Sequence, residues 1–255
     1  GNFQSVQEIL IPPCASRAQV DAMAKYADRS DFVLFAGGDQ AHYVIWKGSK
    51  LIAAVRRVYA RGGIVGGGSA GLAIQGQVVF DSAAADRILP DDQDVATPDA
   101  VRNPYEPAIS FTTGFFAWPP LRDAITDTHF ARRDRFGRLA AFMARALRDR
   151  LIPGPTVYGV AVDEDAVLLV NASGVATLYE RKREEDGYVP TGAYIVRGTR
   201  DPNLVPGHPL HYTVQVLHLN RAGQTYDLLH KSGSGTWYTV VVNGARKPYY
   251  SRNPY

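Results

Sequence analysis

The chain has 255 residues, 45% hydrophobic and 21% charged, which is enough apolar matter to bury a substantial core in one large domain or one domain with an appendage. Its formal net charge of +3 is mild, and lysine and arginine are interspersed with aspartate and glutamate, which argues against nucleic acid as a main partner. A single cysteine, Cys14, excludes an intrachain disulfide and leaves a structural zinc site without its usual ligands, and no apolar run reaches the roughly 18 residues of a membrane-spanning helix.

From the N-terminus, Ser5 to Ile11 reads as a short strand or helix start, stopped by Pro12-Pro13. Cys14 follows in a proline-rich loop and is read as a loop thiol. Arg17 to Asp28 is predicted helical, with Val20, Met23, Ala24 and Ala27 forming one apolar stripe. Asp31 to Ala36 is a short continuous apolar run ending in Gly37-Gly38-Asp39-Gln40, the pattern of a strand buried on both faces. Ser49 to Ala60 is again helical, turning Leu51, Ile52, Val55 and Tyr59 to a core, and Arg61-Gly62-Gly63 stops it as a glycine cap. Ile64-Val65 then runs into Gly66-Gly67-Gly68-Ser69-Ala70-Gly71. Gln77 to Asp81 is a further strand, Ser82 to Pro107 a long irregular segment, and Trp118-Pro119-Pro120 a rigid turn. Ala124 to Phe130 reads as a strand ending in polar groups, and Arg132 to Arg150 as a long amphipathic helix with its arginines largely off the apolar side. The rest is β-rich: Val157–Val162 and Ala166–Val170 flank Asp163-Glu164-Asp165, followed by strands at Val175–Tyr179, Tyr212–Leu219 and Trp237–Val242.

Helix, buried strand and glycine loop, twice repeated, is the rhythm of an α/β protein: a mostly parallel sheet flanked by helices. Residues 1–255 are expected to form a single domain, with about 171–255 as its β-rich C-terminal portion. Such sheets bind ligands at the carboxyl ends of their strands, so both glycine loops are expected at one edge. Gly67 to Gly71 fits G-x-S-x-G, where a sharp strand-to-helix turn exposes the serine hydroxyl beside free N–H groups of a first helical turn. Ser69 is thus a candidate nucleophile. Six histidines could serve as its base, and His129, at a strand end two residues after Asp127, is the best placed; His42 and His218 are alternatives. The acidic turn Asp163-Glu164-Asp165 has no histidine nearby in sequence and is read as a hairpin turn, so neither a metal nor a cofactor is expected.

Phe35-Ala36-Gly37-Gly38-Asp39-Gln40, the Ser69 turn, and Asp127-Thr128-His129-Phe130 followed by Arg133, Arg135, Gly137, Arg138 and Leu139 together resemble the cyanophycinase-type serine peptidases. These form one family with the aspartyl dipeptidases, and their fold is similar to class I glutamine amidotransferases. The resemblance runs from about Asp31 to Val170 and rests on three motifs in the family's order. It implies Ser69 as nucleophile, His129 as base, the N–H groups of Gly38 and Ala70 as oxyanion hole, and Gln40, Asp127, Arg133, Arg135 and Arg138 in the substrate pocket. It implies a peptide or isopeptide substrate with an acidic residue, of the β-aspartyl-arginine class; hydropathy and charge give no membrane or nucleic-acid partner, and whether the protein is a homodimer is left open. The third catalytic member would be an acid between the serine and the histidine: Asp81 first, with Asp86 and Asp99 as alternatives. The family usually has Gly-Thr where this chain has Gly67-Gly68, and Asp-Gln-His where it has Asp127-Thr128-His129. The rival readings are an esterase whose histidine lies late in the chain (His211, His218 or His230) and a non-catalytic binding protein. The compartment stays open: cytoplasmic, or secreted after removal of a signal.

Overall fold

Two β-sheets meet at the segment that carries Ser69, in a computed structural model that describes residues 4–90, 93–180, 192–199, 202 and 204–255. The predicted first helix is two short ones, α1 (Arg17–Ala22) and α2 (Ala24–Asp28), joined at Met23, which ends one and starts the next. Ser16 and Gln19 close a capping box on α1, each side chain satisfying the other's backbone N–H. After β1 (Phe32–Phe35) come α3 (Gln40–Val44), α4 (Lys50–Ala60), β2 (Ile64–Gly67) and α5 (Ala70–Ala73). The segment Ser82 to Pro107, predicted irregular, contains α6 (Ala85–Ile88) and α7 (Thr97–Arg102) between β3 (Val78–Phe80) and β4 (Phe111–Thr113); its residues 91 and 92 lie outside the described residues. β5 (Ala124–Thr128) leads to α8 (Phe136–Arg148), which begins four residues later than the sequence predicts. β6 (Thr156–Val162), β7 (Ala166–Val170), β8 (Val175–Glu180), β9 (Ala193–Thr199), β10 (His211–Leu219), β11 (Thr225–Asp227) and β12 (Trp237–Asn243) complete the chain. Ser5 to Ile11 has no regular element.

The fold is α/β. β1 and β2 pair in parallel, and a seven-stranded sheet runs β12-β10-β9-β6-β5-β3-β4. In it β3, β5 and β6 are parallel, which brings their carboxyl ends to one edge, while β4 on one side and β9, β10 and β12 on the other add antiparallel pairings. A third sheet, β11-β8-β7, is separate. β6 and β7 therefore do not form the hairpin expected around residues 163–165; each pairs with other strands.

Strand alternation sorts the core. Ile125, Val157, Ala161, Tyr194, Val196, Val214 and Val216 face α8, whose Phe136, Leu139, Phe142 and Met143 cover them. On the other face, Val160, Val162, Ile195, Leu217 and Leu219 pack against Ala176, Leu178 and Tyr226 of the small sheet. A third core lies between α1, α2 and α4 and the residues Phe35, Ile74, Phe115, Phe116 and Trp118. β1 departs from expectation: Leu34 is 63% exposed, and Phe32 and Ile64 are also exposed. Phe32 is in register with Ile64, so the three side chains form one uncovered face while helices cover only the other. Tyr59 is likewise more exposed than predicted, leaning on the ring of Trp118. Among the described residues no helix is long and apolar enough to cross a membrane.

Candidate active site

Ser69 stands between β2 and α5 with φ 52° and ψ −122°, outside the regions that L-residues normally occupy. Such a conformation costs on the order of 1–3 kcal/mol and persists only where its surroundings impose it. Here the backbone imposes it. A Cβ on Gly67 would lie 2.2 Å from the Gly71 carbonyl, and one on Gly71 would lie 2.1 Å from the Phe35 oxygen, so both positions must be glycine for the elbow to fit against β1. Gly71 N–H in turn donates to Ala36 O at 3.1 Å, tying the elbow to the first glycine loop. That loop runs beside the serine: a Cβ on Gly37 would be 3.4 Å from Ser69 Cβ. Gly38 has φ 138°, and among the described residues neither its N–H nor that of Ala70, at the start of α5, has a hydrogen-bond partner.

His129 follows the last residue of β5, also in a left-handed conformation with φ 50°. The hydroxyl of Thr126 sets its strand against the serine helix: Thr126 Oγ1 donates towards the Leu72 and Ala73 carbonyls, at 3.0 and 2.8 Å, and accepts from Gly76 N–H at 3.1 Å. The imidazole then spans two partners. Its Nε2 lies 2.8 Å from Ser69 Oγ, and its Nδ1 lies 2.6 Å from Glu164 Oε1. Glu164 Oε2 also meets Arg132 Nη1 at 3.0 Å. Partial burial pushes the Glu164 carboxyl up, but the His129 hydrogen bond and the charges of His129, Arg132 and Arg133 outweigh it and hold the group below the ordinary glutamate value.

The carboxylate that lies against His129 is that of Glu164, where sequence reading expected Asp81. Asp81 follows β3 and is buried, but it accepts from Ser110 Oγ at 2.5 Å, Thr112 Oγ1 at 2.7 Å and Ala83 N–H at 3.1 Å, which commits its oxygens to its own turn and to the β4 region. Asp99 lies in the first turn of α7 and Asp86 in that of α6, and neither contacts His129. The signal that locates Glu164 is topological: β5 and β6 are parallel neighbours with Thr128 opposite Val162, so the turn after β6 emerges beside His129.

The arginines separate in the same way. Arg138, 2% exposed in its side chain, holds Asp127 through two bonds, Nε to Oδ2 at 2.9 Å and Nη2 to Oδ1 at 2.7 Å. Asp94 adds a second carboxylate, bonded by Arg138 Nη1 at 2.5 Å and by Arg135 Nη2 at 2.9 Å. Arg135 also donates to Thr128 O at 3.0 Å, bracing the end of β5. Burial raises the Asp127 carboxyl, but Arg138, then Arg135 and the Thr128 N–H, bring it below its ordinary value. The two guanidiniums shift oppositely. Burial and repulsion by Arg138 lower Arg135 to about 10, whereas Arg138, closest to Asp127, is raised despite its burial. Asp127, Arg135 and Arg138, expected in the substrate pocket, thus bond one another and Asp94. Arg133, in the turn before α8, is exposed and has no ion pair among the described residues. Gln40 begins α3 directly after the first glycine loop, with Asp39 capping that helix through Ala41 N–H at 2.8 Å.

No protein-family model matches the chain, and no curated protein matches it. Among solved structures, the crystal structure of a peptidase from an acI-B1 Actinobacterium is similar at 15% identity, with a TM-score of 0.47, over 83% of this chain and 66% of that one. This chain thus spans just under two thirds of that protein's length. Among the described residues, no group of three or more histidine, cysteine, aspartate or glutamate side chains is placed to hold a metal ion.

Proposed function

We propose that the protein is a serine hydrolase that cleaves a peptide or isopeptide bond beside an acidic residue. One observation carries this reading: an unbroken line of hydrogen bonds from Ser69 Oγ through His129 to Glu164, starting at a strained strand-to-helix elbow. Glu164 accepts a hydrogen bond from Nδ1–H, which keeps the proton on Nδ1 and leaves Nε2 with its lone pair towards the serine hydroxyl. Ser69 Oγ attacks the carbonyl carbon as its proton passes to Nε2. The tetrahedral oxyanion is held by the N–H groups of Gly38 and Ala70, and His129 returns the proton to the departing amine. Water then repeats the sequence on the acyl-enzyme. The acidic preference is supported by Arg133, whose guanidinium is uncommitted close to Glu164 and Arg135 and matches a carboxylate fork. Two of the three late histidines favoured by the esterase reading are engaged elsewhere: His218 stacks on Tyr194, and His230 bonds Asp227.

The test uses a fluorophosphonate and a panel of α- and β-aspartyl dipeptides that includes aspartyl-arginine. The wild-type protein is expected to label at Ser69 and to cleave members of the panel, with Ser69→Ala lowering the rate by about 10⁶-fold. An unlabelled Ser69 with retained binding of acidic peptides would establish a binding protein instead. Full activity of Ser69→Ala would overturn the mechanism.

A further inference from the structure

The turn that joins His129 to α8 is gripped from outside by the C-terminal segment. Residues 249–255 double back along β12. Asn243 N–H donates to Tyr249 O at 2.7 Å, Ser251 N–H to Val241 O at 3.0 Å, and Tyr238 OH to Pro254 O at 2.7 Å. This path delivers two tyrosines to the turn. Their hydroxyls donate to the same oxygen, Asp134 Oδ1, at 2.6 Å from Tyr250 and 2.7 Å from Tyr255. The same hydroxyls accept from the first N–H groups of α8: Gly137 N–H at 3.2 Å on Tyr250, and Phe136 N–H at 3.0 Å on Tyr255. α8 has no side-chain cap of its own at Arg135, so the two phenols do the work of a cap from a distance. Their rings meet Phe136 edge-on, and the Tyr255 ring also meets Phe130, the residue after His129.

The grip reaches the histidine through a closed piece of main chain. Arg133 N–H donates to His129 O at 3.0 Å and Arg135 N–H to Phe130 O at 2.9 Å, so residues 129–135 move as a unit. Two residues of that unit, His129 with φ 50° and Asp134 with φ 45°, hold backbone conformations that L side chains keep only under constraint. Glu164 bonds one ring nitrogen and so decides how the imidazole faces. Where the imidazole stands is decided by the turn. We infer that Tyr250 and Tyr255 are positioning residues for the catalytic base, holding the His129 turn through Asp134; this rests on the reading of Ser69 and His129 given above. Burial raises both phenols far above the ordinary tyrosine value, so they remain donors throughout any assay range.

The experiment measures the second-order rate of fluorophosphonate labelling of Ser69 per folded molecule, together with the downfield proton resonance of the His129–Glu164 bond. Tyr255→Phe and Tyr250→Phe each remove only a hydroxyl. Displacements of about 1 Å at a catalytic group cost up to about 10²-fold, so the double variant is expected to approach that loss and the single variants to fall short of it, with the resonance shifted or broadened. Val216→Ala, a cavity in the sheet beneath α8, lowers the melting temperature while leaving the labelling rate and the resonance as in wild type. Tyrosine variants that behave like Val216→Ala overturn the inference and leave the proposed function standing. A wild-type protein that fails to label overturns both. Should the double variant not fold, the Tyr255→Phe comparison decides alone.

Discussion

Two acid–base pairs draw on the stretch from Asp127 to Arg138, and their distances are almost the same. His129 Nδ1 meets Glu164 at 2.6 Å, and Arg138 Nη2 meets Asp127 at 2.7 Å. What differs is access and chemistry. The Glu164 side chain is 26% exposed and its partner is an imidazole, whose two ring nitrogens can donate and accept; the Asp127 side chain is 3% exposed and its partner is a guanidinium, which only donates. The first pair is suited to passing a proton to a substrate. The second braces the strand that presents the histidine, through the Arg135 bond to Thr128. A short contact between charged groups near an active site therefore does not reveal its role until burial and proton affinity are considered with it.

The contrast can be broken by mutation. Glu164→Gln is expected to lower the rate by about 10⁴-fold, as loss of the acid behind a catalytic histidine does, with little change in melting temperature. Asp81→Asn, assayed in parallel, leaves the rate per folded molecule at the wild-type level, and the reverse ranking would return the third position to Asp81. Asp127→Ala removes one of the two carboxylates that hold the buried Arg138 and is expected to cost about 3–5 kcal/mol of stability, read from urea unfolding, a much larger loss than Glu164→Gln produces. The gentlest test is pH. The Asp127 carboxyl is depressed in the folded state below its unfolded value of about 3.9, so its contribution is complete above about pH 4 and is lost as pH falls through the folded value. Urea midpoints measured from pH 6 to pH 2 should fall along this limb, and Asp127→Asn should flatten it.

That Ser69 and His129 come together at one edge was legible because both signals are local. Gly67 to Gly71 spells a tight elbow in five residues, and His129 closes an apolar strand. Glu164 was not legible, because its place depends on β6 lying parallel beside β5, a pairing between segments some thirty residues apart. The same acidic turn looked like a hairpin only because two strand patterns flank it. The partners of Arg138 were hidden for a related reason. Arg138 lies on the apolar side of α8, where a lone charge would be costly, and only Asp127 and Asp94 make that position tolerable. Likewise, the apolar run of β1 reads as doubly buried, yet covering its second face would take an element that the described residues do not supply. β9 went unread although it sits inside the large sheet with Ala193, Tyr194 and Ile195 fully buried.

The collision that a side chain on Gly71 would make with the Phe35 carbonyl has a bearing on how this protein can vary. The serine is located by main chain against main chain, so exchanging one core side chain for another barely moves it. The histidine is located by side chains drawn from Glu164, Arg135, Tyr250 and Tyr255. Half of the proposed reacting pair is thus insured against drift in the surrounding sequence, and the other half is where gradual changes in rate can accumulate.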